Sequence, residues 1–540
     1  MTGATGGMGP RNMQRPDTGR SDEGLANVLL VVVDQWRGDW MPADGDGPRP
    51  PRLPALERLM REGTTFRRHY AQATPCGPSR ASLLTGMYAM NHRVVQNRVP
   101  MAGHITNLGQ EVRSTGHMPA LVGYTSWMPD PRMTPAGDPR YRMLGANMPG
   151  WTVLASLEEP DFEQYFGHLR RNGVDLPEDP FDIWRPADGI ASQPAAAVPR
   201  QLSDTAWATD AALDHITARR RQPWFLHLGY WRPHPPFLAP APYDRLHAPD
   251  RLPAPVARDA AGAHAGCASA HPYQAWLAAT TRASDFVQGA PGLAADLDDA
   301  AVMRLRGQYA GLMTEIDDHL GRVLDHLDRT GEIDRTLIVF TSDHGEMLGD
   351  HRLFGKLTHH DAAFHVPLVV RDPRAPCDAR GRVVDAFTES VDVMPTILDW
   401  LDLPVPMQCD GASLLAFCRG ETVAGWRDAA HFELDFSDPV TSAAERALGL
   451  SSDLCGLAVL RGQRFKYVHF AGLPPLLFDM VADPHERRDL AGDPDYAAVA
   501  LDCAQRLLSW RIAHADRSLT RYRGSPDGLT IDGRLIGTGS

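Results

Sequence analysis

A cysteine and an arginine lie close together at the start of a predicted helix. Residues 76–86 read CGPSRASLLTG, with Cys76 just before the helix and Arg80 in its first turn. Unpaired N–H groups at a helix N-terminus favour an anion or a developing oxyanion there. A guanidinium adds a charged fork suited to phosphate or sulfate oxygens. Cys76 is therefore either a thiolate nucleophile or a small buried residue, and burial is the commoner fate of a lone cysteine.

Four side chains with metal-binding atoms follow two predicted strands. Asp34 and Gln35 come directly after an aliphatic run, and Asp343 and His344 follow a second run in the sequence TSDHG. Two carboxylates, an amide oxygen and an imidazole make a mixed oxygen and nitrogen ligand set for a divalent ion. Taken singly, Asp34 could cap a helix and His344 could be a hydrogen-bonded loop residue. Their joint position at two strand ends favours a metal site.

The cysteine segment resembles a known family signature. CxPxR at 76–80, followed by LTG at 84–86, is similar to the signature of the sulfatases, in which the cysteine is oxidised after translation to formylglycine. The resemblance implies a hydrated aldehyde that binds the metal and attacks sulfur or phosphorus through one hydroxyl. The second hydroxyl lets the covalent intermediate collapse and release the product. A formylglycine-generating or equivalent maturation enzyme is thereby implied as a partner.

The resemblance covers the chain from about residue 27 to about residue 523. Five segments look specifically like the bacterial phosphonate monoester hydrolases of the alkaline phosphatase superfamily: VVDQWR at 32–37, NHR at 91–93, LHLGY at 226–230, RPHPP at 232–236 and LSWR at 508–511. The resemblance implies that the metal is bound by Asp34, Gln35, Cys76, Asp343 and His344. Besides Cys76, it places four residues around the transferred group: Arg80, Tyr124, His234 and Lys356.

Lys356 and His234 have a chemical reason for these roles, because a departing alkoxide or phenoxide needs positive charge or a proton. A lone lysine is ordinarily solvated and a histidine in a proline-rich loop ordinarily packs, so both assignments, like that of Tyr124, rest mainly on the resemblance. The family often has a threonine-rich run after this tyrosine, where this chain reads TSWM at 125–128. Ser126 keeps a hydroxyl as the expected substrate contact.

Two other features depart from the family pattern. Trp127 and Met128 would make the wall beside Ser126 more apolar, and the pair HH at 359–360 falls shortly after Lys356. Substrate preference is therefore less determined by the sequence than the reaction class.

The leading hypothesis for function is hydrolysis of small anionic esters, namely phosphonate monoesters and phosphodiesters, with overlapping hydrolysis of sulfate monoesters. An arylsulfatase with sulfate monoesters as native substrates is the alternative, because the metal and Arg80 would serve both tetrahedral anions alike. A non-catalytic binding module would have lost a metal ligand, whereas each expected ligand is present. A two-zinc, phosphatase-like site using serine or threonine is a third reading, but Cys76 stands at the nucleophile position.

One divalent metal ion is expected as the cofactor. Manganese and calcium both remain open, and the histidine ligand modestly favours a transition metal over an all-oxygen calcium site.

Composition argues against several classes of protein. The 540 residues include 67 acidic and 54 basic side chains, and the formal charge of −13 opposes a general nucleic-acid surface. The longest aliphatic run, Val28–Val33, is far shorter than the roughly 20 residues that cross a membrane. Seven cysteines without a CxxC pair do not suggest a disulfide framework. Residues 1–24 lack an apolar signal-peptide core, so we expect a cytoplasmic protein.

The elements that must position these residues indicate an α/β fold. Four short aliphatic runs are typical of buried strands in a mostly parallel sheet: Val28–Val33, Phe225–Leu228, Leu337–Phe340 and Pro367–Val370. Apolar spacing predicts helices at Pro54–Glu62, Ser79–Thr85 and Arg304–Asp328. Ligands bind at the carboxyl ends of strands in such sheets, so the polar residues after the runs are the first candidates for chemistry.

We expect a large mixed, mostly parallel sheet flanked by helices, as in the alkaline phosphatase superfamily, with a smaller C-terminal α+β domain. The expected segments are a disordered tail at 1–24, a catalytic domain at 25–405, a smaller domain with a short antiparallel sheet at 406–512, and a C-terminal tail at 513–540. The Pro-, Ala- and Gly-rich stretch 239–292 is expected to be a surface excursion near the site. In relatives the C-terminal region helps build an oligomer, so the resemblance implies a homo-oligomer, by analogy a tetramer.

Overall fold

The computed structural model describes residues 26–42, 48–114, 117–143, 146–158, 162–186, 195–256, 271–532 and 534–535. The tail expected at 1–24 lies outside these residues. The strands are β1 Asn27–Val33, β2 Thr64–Tyr70, β3 Ala120–Gly123, β4 Thr152–Ser156, β5 Phe225–Tyr230, β6 Thr336–Ser342, β7 Leu368–Arg371, β8 Arg382–Glu389, β9 Ala429–Asp435, β10 Gly456–Gly462, β11 Phe465–Phe470, β12 Leu476–Asp479, β13 Tyr522–Ser525, β14 Gly528–Ile531 and β15 Arg534–Leu535. The helices are α1 Pro54–Glu62, α2 Cys76–Thr85, α3 Ala89–His92, α4 Leu108–Arg113, α5 Glu163–Arg171, α6 Asp204–Arg219, α7 Pro272–Thr280, α8 Asp299–Thr330, α9 Asp361–Phe364, α10 Val393–Trp400, α11 Leu415–Cys418, α12 Ala443–Leu448 and α13 Ala497–Ala513.

The main sheet has eight strands in the order β4-β3-β5-β1-β6-β7-β2-β8. β7 runs antiparallel to both of its neighbours, whereas the other neighbouring pairs are parallel. This confirms the mixed, mostly parallel sheet expected from the aliphatic runs. All four of those runs are strands, and the fourth begins at Leu368 instead of Pro367.

Helices cover both faces of this sheet. Alternate residues of β1 point to opposite faces, so Leu29 and Val31 pack with α1, α6 and α8, while Leu30 and Val32 pack with α2, α4 and α10. Because both faces are buried, every residue of β1 is buried and the strand reads as a continuous aliphatic run.

The three predicted helices are present, and two of them start earlier than expected. α1 has the expected bounds, and α8 extends the expected range at both ends. The Asp298 side chain accepts a hydrogen bond from Ala301 N and so caps the start of α8. α2 begins at Cys76 and not at Ser79, because Ser79 N already donates to Pro75 O at 3.1 Å. Cys76 is therefore the first residue of the helix.

The C-terminal part of the chain forms a second sheet, in the antiparallel order β12-β11-β10-β9. This confirms the short antiparallel sheet expected there. α13 packs on the sheet through Leu507 and Trp510, which contact Leu460 and Tyr467. The described part of the segment 513–540 contains a third sheet, β13-β14-β15. The boundary expected at residue 405 stays a prediction.

The stretch 239–292 is not a simple surface excursion. It contains α7, whose Tyr273 is fully buried among Phe436 and Phe470 of the second sheet region. The expectation of a surface segment is therefore wrong for this helix, because its few large side chains are core residues despite the Pro-, Ala- and Gly-rich composition. Residues 257–270 of the stretch lie outside the described chain.

A membrane-crossing helix is not found in the described parts of the chain, where no helix is both long and apolar enough.

Candidate active site

Four neighbouring strands end at the same edge of the main sheet. Val33, the last residue of β1, lies opposite Tyr230 of β5 and Ser342 of β6. On the other side of β5, β3 ends at Gly123. Parallel strands point their carboxyl ends the same way, so the residues that follow these four strands meet in one place.

Asp34, Cys76, Asp343 and His344 form a buried cluster there. One ligand atom from each residue lies within 4.8 Å of the others. Cys76 Sγ lies 3.2 Å from His344 Nε2, and this nitrogen lies 3.7 Å from a carboxylate oxygen of Asp34 and of Asp343. His344 Nδ1 lies 3.1 Å from the carbonyl oxygen of Gly345, which can only accept. Nδ1 therefore carries the proton, and Nε2 presents a lone pair to the cluster.

This donor set fits a single divalent cation. Burial and the adjacent carboxylate of Asp343 raise the pKa of Asp34 to about 8, because two anions are held together away from water. Asp34 Oδ1 finds no hydrogen-bond partner among the described residues. Burial lowers the pKa of His344 to about 3, which keeps the imidazole neutral and able to ligate. A cation would offset the repulsion between the carboxylates and use both the orphaned oxygen and the imidazole lone pair.

Arg80 is engaged with these carboxylates. Its Nε donates to Asp343 Oδ2 at 2.9 Å, and one terminal nitrogen lies 3.3 Å from Asp34 Oδ2. The other terminal nitrogen donates to the carbonyl oxygen of Tyr124 at 3.0 Å, and the guanidinium lies 3.9 Å from the centre of the Tyr124 ring. The Tyr124 hydroxyl in turn donates to Asp34. Arg80 and Tyr124 thus contact the carboxylates directly.

Cys76 occupies the centre of the site as a thiol. Burial raises its pKa well above the usual value, and the carboxylate of Asp34 raises it further. A resting thiolate is therefore disfavoured, in spite of the helix N-terminus. One N–H of that terminus is already used, because Gly77 N donates to Asn97 Oδ1 at 2.7 Å.

Lys356 lies beside Cys76 and Gln35. Its Nζ is 2.7 Å from Gln35 Oε1 and 3.4 Å from Cys76 Sγ. Burial works against the charged form, but the neighbouring Cys76 and Asp34 outweigh it, and the pKa of Lys356 is raised. The Thr74 hydroxyl donates to the Lys356 carbonyl oxygen at 3.0 Å and holds the backbone at this point. The ammonium is therefore a fixed positive charge next to the cysteine.

His234 lies on the loop that follows β5, half-buried against Trp231. Its Nδ1 is 2.7 Å from the Pro235 carbonyl oxygen, so Nε2 is the nitrogen available to a ligand. Burial and the charge of Lys356 lower the pKa of His234 well below its usual value. Arg232 donates to the His234 carbonyl oxygen at 3.1 Å and thereby holds the loop.

The wall formed by residues 125–128 differs in character from the cluster. Ser126 has a φ of 53°, which a residue other than glycine rarely adopts. Its N–H and its hydroxyl lie 3.3 and 3.4 Å from the buried carboxylate of Glu158. Trp127 is half-buried and Met128 is buried.

The two histidines at 359–360 stack on each other with centroids 4.2 Å apart and contact Gln274, so they belong to the packing of α7.

Three residues in contact with the site were not predicted. Asn97 binds the N–H of Gly77, Glu158 binds Ser126, and Glu346 accepts a hydrogen bond from Gln35. A sequence signal existed for Glu346 alone, which follows the TSDHG segment directly.

Comparisons with known proteins agree with this geometry. Residues 26–403 match the family model of the sulfatases, and residues 349–513 match the model of the C-terminal region of N-sulphoglucosamine sulphohydrolase. The multifunctional alkaline phosphatase superfamily protein PehA of Trinickia caryophylli is 48% identical over 93% of this chain and 98% of its own length. An arylsulfatase of Clostridium perfringens is 26% identical over 94% and 97%. The crystal structure of a phosphonate monoester hydrolase of Agrobacterium radiobacter is 40% identical and superimposes with a TM-score of 0.88, over 94% of this chain and 99% of that one.

Replacing His344 with alanine should weaken metal binding about 10-fold or more, because a nitrogen ligand is removed. His69→Ala is the matched control: His69 is also fully buried with a pKa lowered to about 3 by burial, but it lies on β2 outside the cluster. Bound metal is measured by elemental analysis after equilibration with Mn²⁺, and circular dichroism checks the fold. Equal metal content in His344→Ala and the wild-type protein would contradict the assignment.

Proposed function

The chain is a hydrolase that belongs to the sulfatase family, and we propose that it cleaves phosphonate monoesters and phosphodiesters, with sulfate monoesters in the same site. The buried cluster of Asp34, Cys76, Asp343 and His344 carries this proposal, because it joins the nucleophile motif to a cation site. The 48% and 40% identities to the superfamily protein and the phosphonate monoester hydrolase favour phosphorus esters. The 26% identity to an arylsulfatase supports the alternative of sulfate monoesters as native substrates.

We propose that one divalent ion is held by Asp34, Gln35, Asp343 and His344 together with an oxygen on residue 76. Manganese and calcium both suit the oxygen ligands, and the imidazole favours manganese. When bound, the ion supplies charge that stabilises the deprotonated form of a hydroxyl on residue 76.

We propose that Cys76 is converted to formylglycine before it acts. The hydrated aldehyde offers two hydroxyls on one carbon, one for attack and one for expelling the product. Cys76 is only 6% exposed, so a formylglycine-generating or equivalent enzyme should act on the chain before this segment folds.

Lys356 and His234 are proposed to serve the leaving group and the nonbridging oxygens. Sγ of Cys76 stands where the nucleophilic oxygen would be, and the Lys356 ammonium lies 3.4 Å from it. A positive charge so close can stabilise negative charge that develops on transferred oxygens. His234 is neutral in the free site because burial lowers its pKa. Before it can donate a proton, the charge of a bound anion must raise that pKa.

Arg80, Tyr124 and Ser126 are the other three proposed site residues. Arg80 and Tyr124 are proposed to face the transferred group, and their contacts with Asp34 also keep the carboxylates in a geometry that suits the ion. Ser126 remains the proposed substrate contact, with Glu158 behind it. A buried carboxylate at this wall would favour substrates with low negative charge over dianions.

A homo-oligomer, by analogy a tetramer, is proposed for the assembled protein. The outer face of α13 exposes Leu501, Leu508 and Ile512, and the third sheet region exposes Leu519 and Leu529. Several large apolar residues on neighbouring surfaces are typical of protein contacts.

The proposed cytoplasmic location is supported by the six described cysteines, which are all free thiols.

Matched aryl esters test the substrate proposal. We expect kcat/KM for an aryl phosphonate monoester and for a phosphodiester to exceed that for the aryl sulfate with the same phenol. The identical leaving group ensures that only the transferred group is compared. A preference for the sulfate would favour the arylsulfatase alternative, and no hydrolysis of any ester after confirmed formylglycine conversion would favour a binding module.

Cys76→Ser should abolish steady-state turnover while leaving at most one slow transfer per chain. A single hydroxyl can attack, but it lacks the second hydroxyl that expels the product, so turnover should fall by at least the ~10²–10³-fold typical of losing one transition-state contact. Cys418→Ser, at another buried cysteine, is the control and should keep activity. In preparations of the wild-type protein, mass spectrometry should show sulfur loss at Cys76 in proportion to activity. Full activity with only unmodified Cys76 would reject the formylglycine proposal.

Lys356→Ala should spare the metal and slow esters with poor leaving groups most, by about 10²–10⁴-fold, because charge matters more as the departing oxygen becomes more basic. Lys356→Arg keeps the charge and should flatten this dependence. The measurement is kcat/KM across phenols of increasing pKa. A uniform loss across the series would indicate a role in binding instead.

A further inference from the structure

Glu346 is a fully buried carboxylate beside Gln35, one of the proposed metal ligands. Its Oε1 accepts hydrogen bonds from Leu348 N at 2.9 Å and Gly355 N at 2.6 Å. Its Oε2 accepts a hydrogen bond from the side-chain amide of Gln35. Glu346 therefore connects Gln35 to the loop that leads directly into Lys356.

The chemistry of its neighbours determines which way the Gln35 amide faces. A carboxylate only accepts hydrogen bonds, and an ammonium group only donates them. Gln35 lies between one of each: Nε2 donates to Glu346, and Oε1 accepts from Lys356 Nζ at 2.7 Å. Turning the amide over would set two donors against each other at Lys356 and two acceptors against each other at Glu346. Only one orientation satisfies both neighbours.

The backbone of Gln35 is held independently of Glu346. Its N–H donates to Asp343 Oδ1 at 3.1 Å, and its carbonyl oxygen accepts from the Tyr309 hydroxyl at 2.7 Å. Because both backbone groups are engaged, the direction in which the amide oxygen points depends on how the side-chain amide is turned.

We propose that Glu346 is a positioning residue that keeps the amide oxygen of Gln35 turned toward the metal cluster and Lys356. The inference rests on the proposed function, which takes Gln35 as a ligand. The amide oxygen of glutamine is a good ligand for Mn²⁺ and Ca²⁺, whereas its NH₂ group is a donor and offers no comparable lone pair. Reversal of the amide would therefore remove one ligand and leave the rest of the cluster in place.

The variant Glu346→Gln tests the orientation of the Gln35 amide separately from the hydrogen bonds that Glu346 accepts from the loop backbone. The new amide oxygen can still accept from Leu348 N and Gly355 N, so the loop remains closed. The new NH₂ group faces Gln35, which must then turn its oxygen toward position 346 and its own NH₂ group toward the cluster. We expect Mn²⁺ binding to weaken about 10-fold or more, as for other partners that orient metal ligands.

A reciprocal exchange should restore binding. In the double variant Gln35→Glu/Glu346→Gln, the carboxylate at position 35 accepts from the NH₂ group at position 346 and still offers an oxygen to Lys356 and the metal. The total charge equals that of the wild-type protein. Glu346→Asp tests charge alone, because it keeps the carboxylate but is one methylene too short to reach Gln35. We expect the double variant to regain most of the affinity and Glu346→Asp to remain weak.

Dissociation constants for Mn²⁺ and Ca²⁺ are measured on the full-length protein by competition with a chelating dye, with circular dichroism and thermal unfolding of the metal-free protein as checks of the fold. Glu315→Gln, at another fully buried carboxylate, is the control and should bind like the wild-type protein. If Glu346→Gln does not fold, the double variant decides, since it should fold and bind.

Unchanged affinity in Glu346→Gln would overturn the inference, as would a double variant that binds no better than Glu346→Gln. Wild-type affinity in Glu346→Asp would show that charge, not position, matters. If the wild-type protein binds the ion, any of these three results would contradict the role of Glu346 but not the proposed metal site. Failure of the wild-type protein to bind either ion would overturn the metal site itself and the inference with it.

Discussion

Two carboxylates held side by side and away from water are the constraint on which the rest of the site depends. Asp34 and Asp343 follow adjacent parallel strands, and both are fully buried. Burying an ion costs several kcal/mol unless opposite charge and hydrogen bonds compensate. Arg80 lies within 3.3 Å of both carboxylates and supplies part of that compensation. A divalent cation at the proposed site would supply the rest.

The loop that carries Lys356 is held from two sides. On the side of the main sheet, Glu346 accepts a hydrogen bond from Gly355 N, directly before Lys356. Beyond its end, Asp361 accepts from Lys466 at 2.7 Å and from Arg461 at 2.8 Å, both on strands of the second sheet. The second sheet therefore holds the chain at Asp361, shortly after Lys356.

Features with a local signal could be predicted from the sequence. The aliphatic runs predicted β1 and β6, and these strands carry Asp34 and Asp343 at their ends. Contacts between distant residues could not be predicted in this way: Asn97 meets Gly77 across 20 positions, and Glu346 meets Gln35 across 311. A guanidinium also suits a carboxylate as well as a phosphate or sulfate, so residue type alone did not show that Arg80 faces the two aspartates.

The metal side and the substrate wall are built in different ways. Around the cluster, some hydrogen bonds join residues far apart in the chain, such as Arg80 and Asp343 across 263 positions or Lys356 and Gln35 across 321. These bonds join the ends of β6 and β1 to α2 and to the loop that carries Lys356. Ser126 instead follows β3 on a loop and contacts Glu158 only 32 positions away, at 3.3 to 3.4 Å. The side-chain contact of Ser126 is therefore made away from the cluster, and a shared cluster supports a shared reaction class more strongly than a shared substrate.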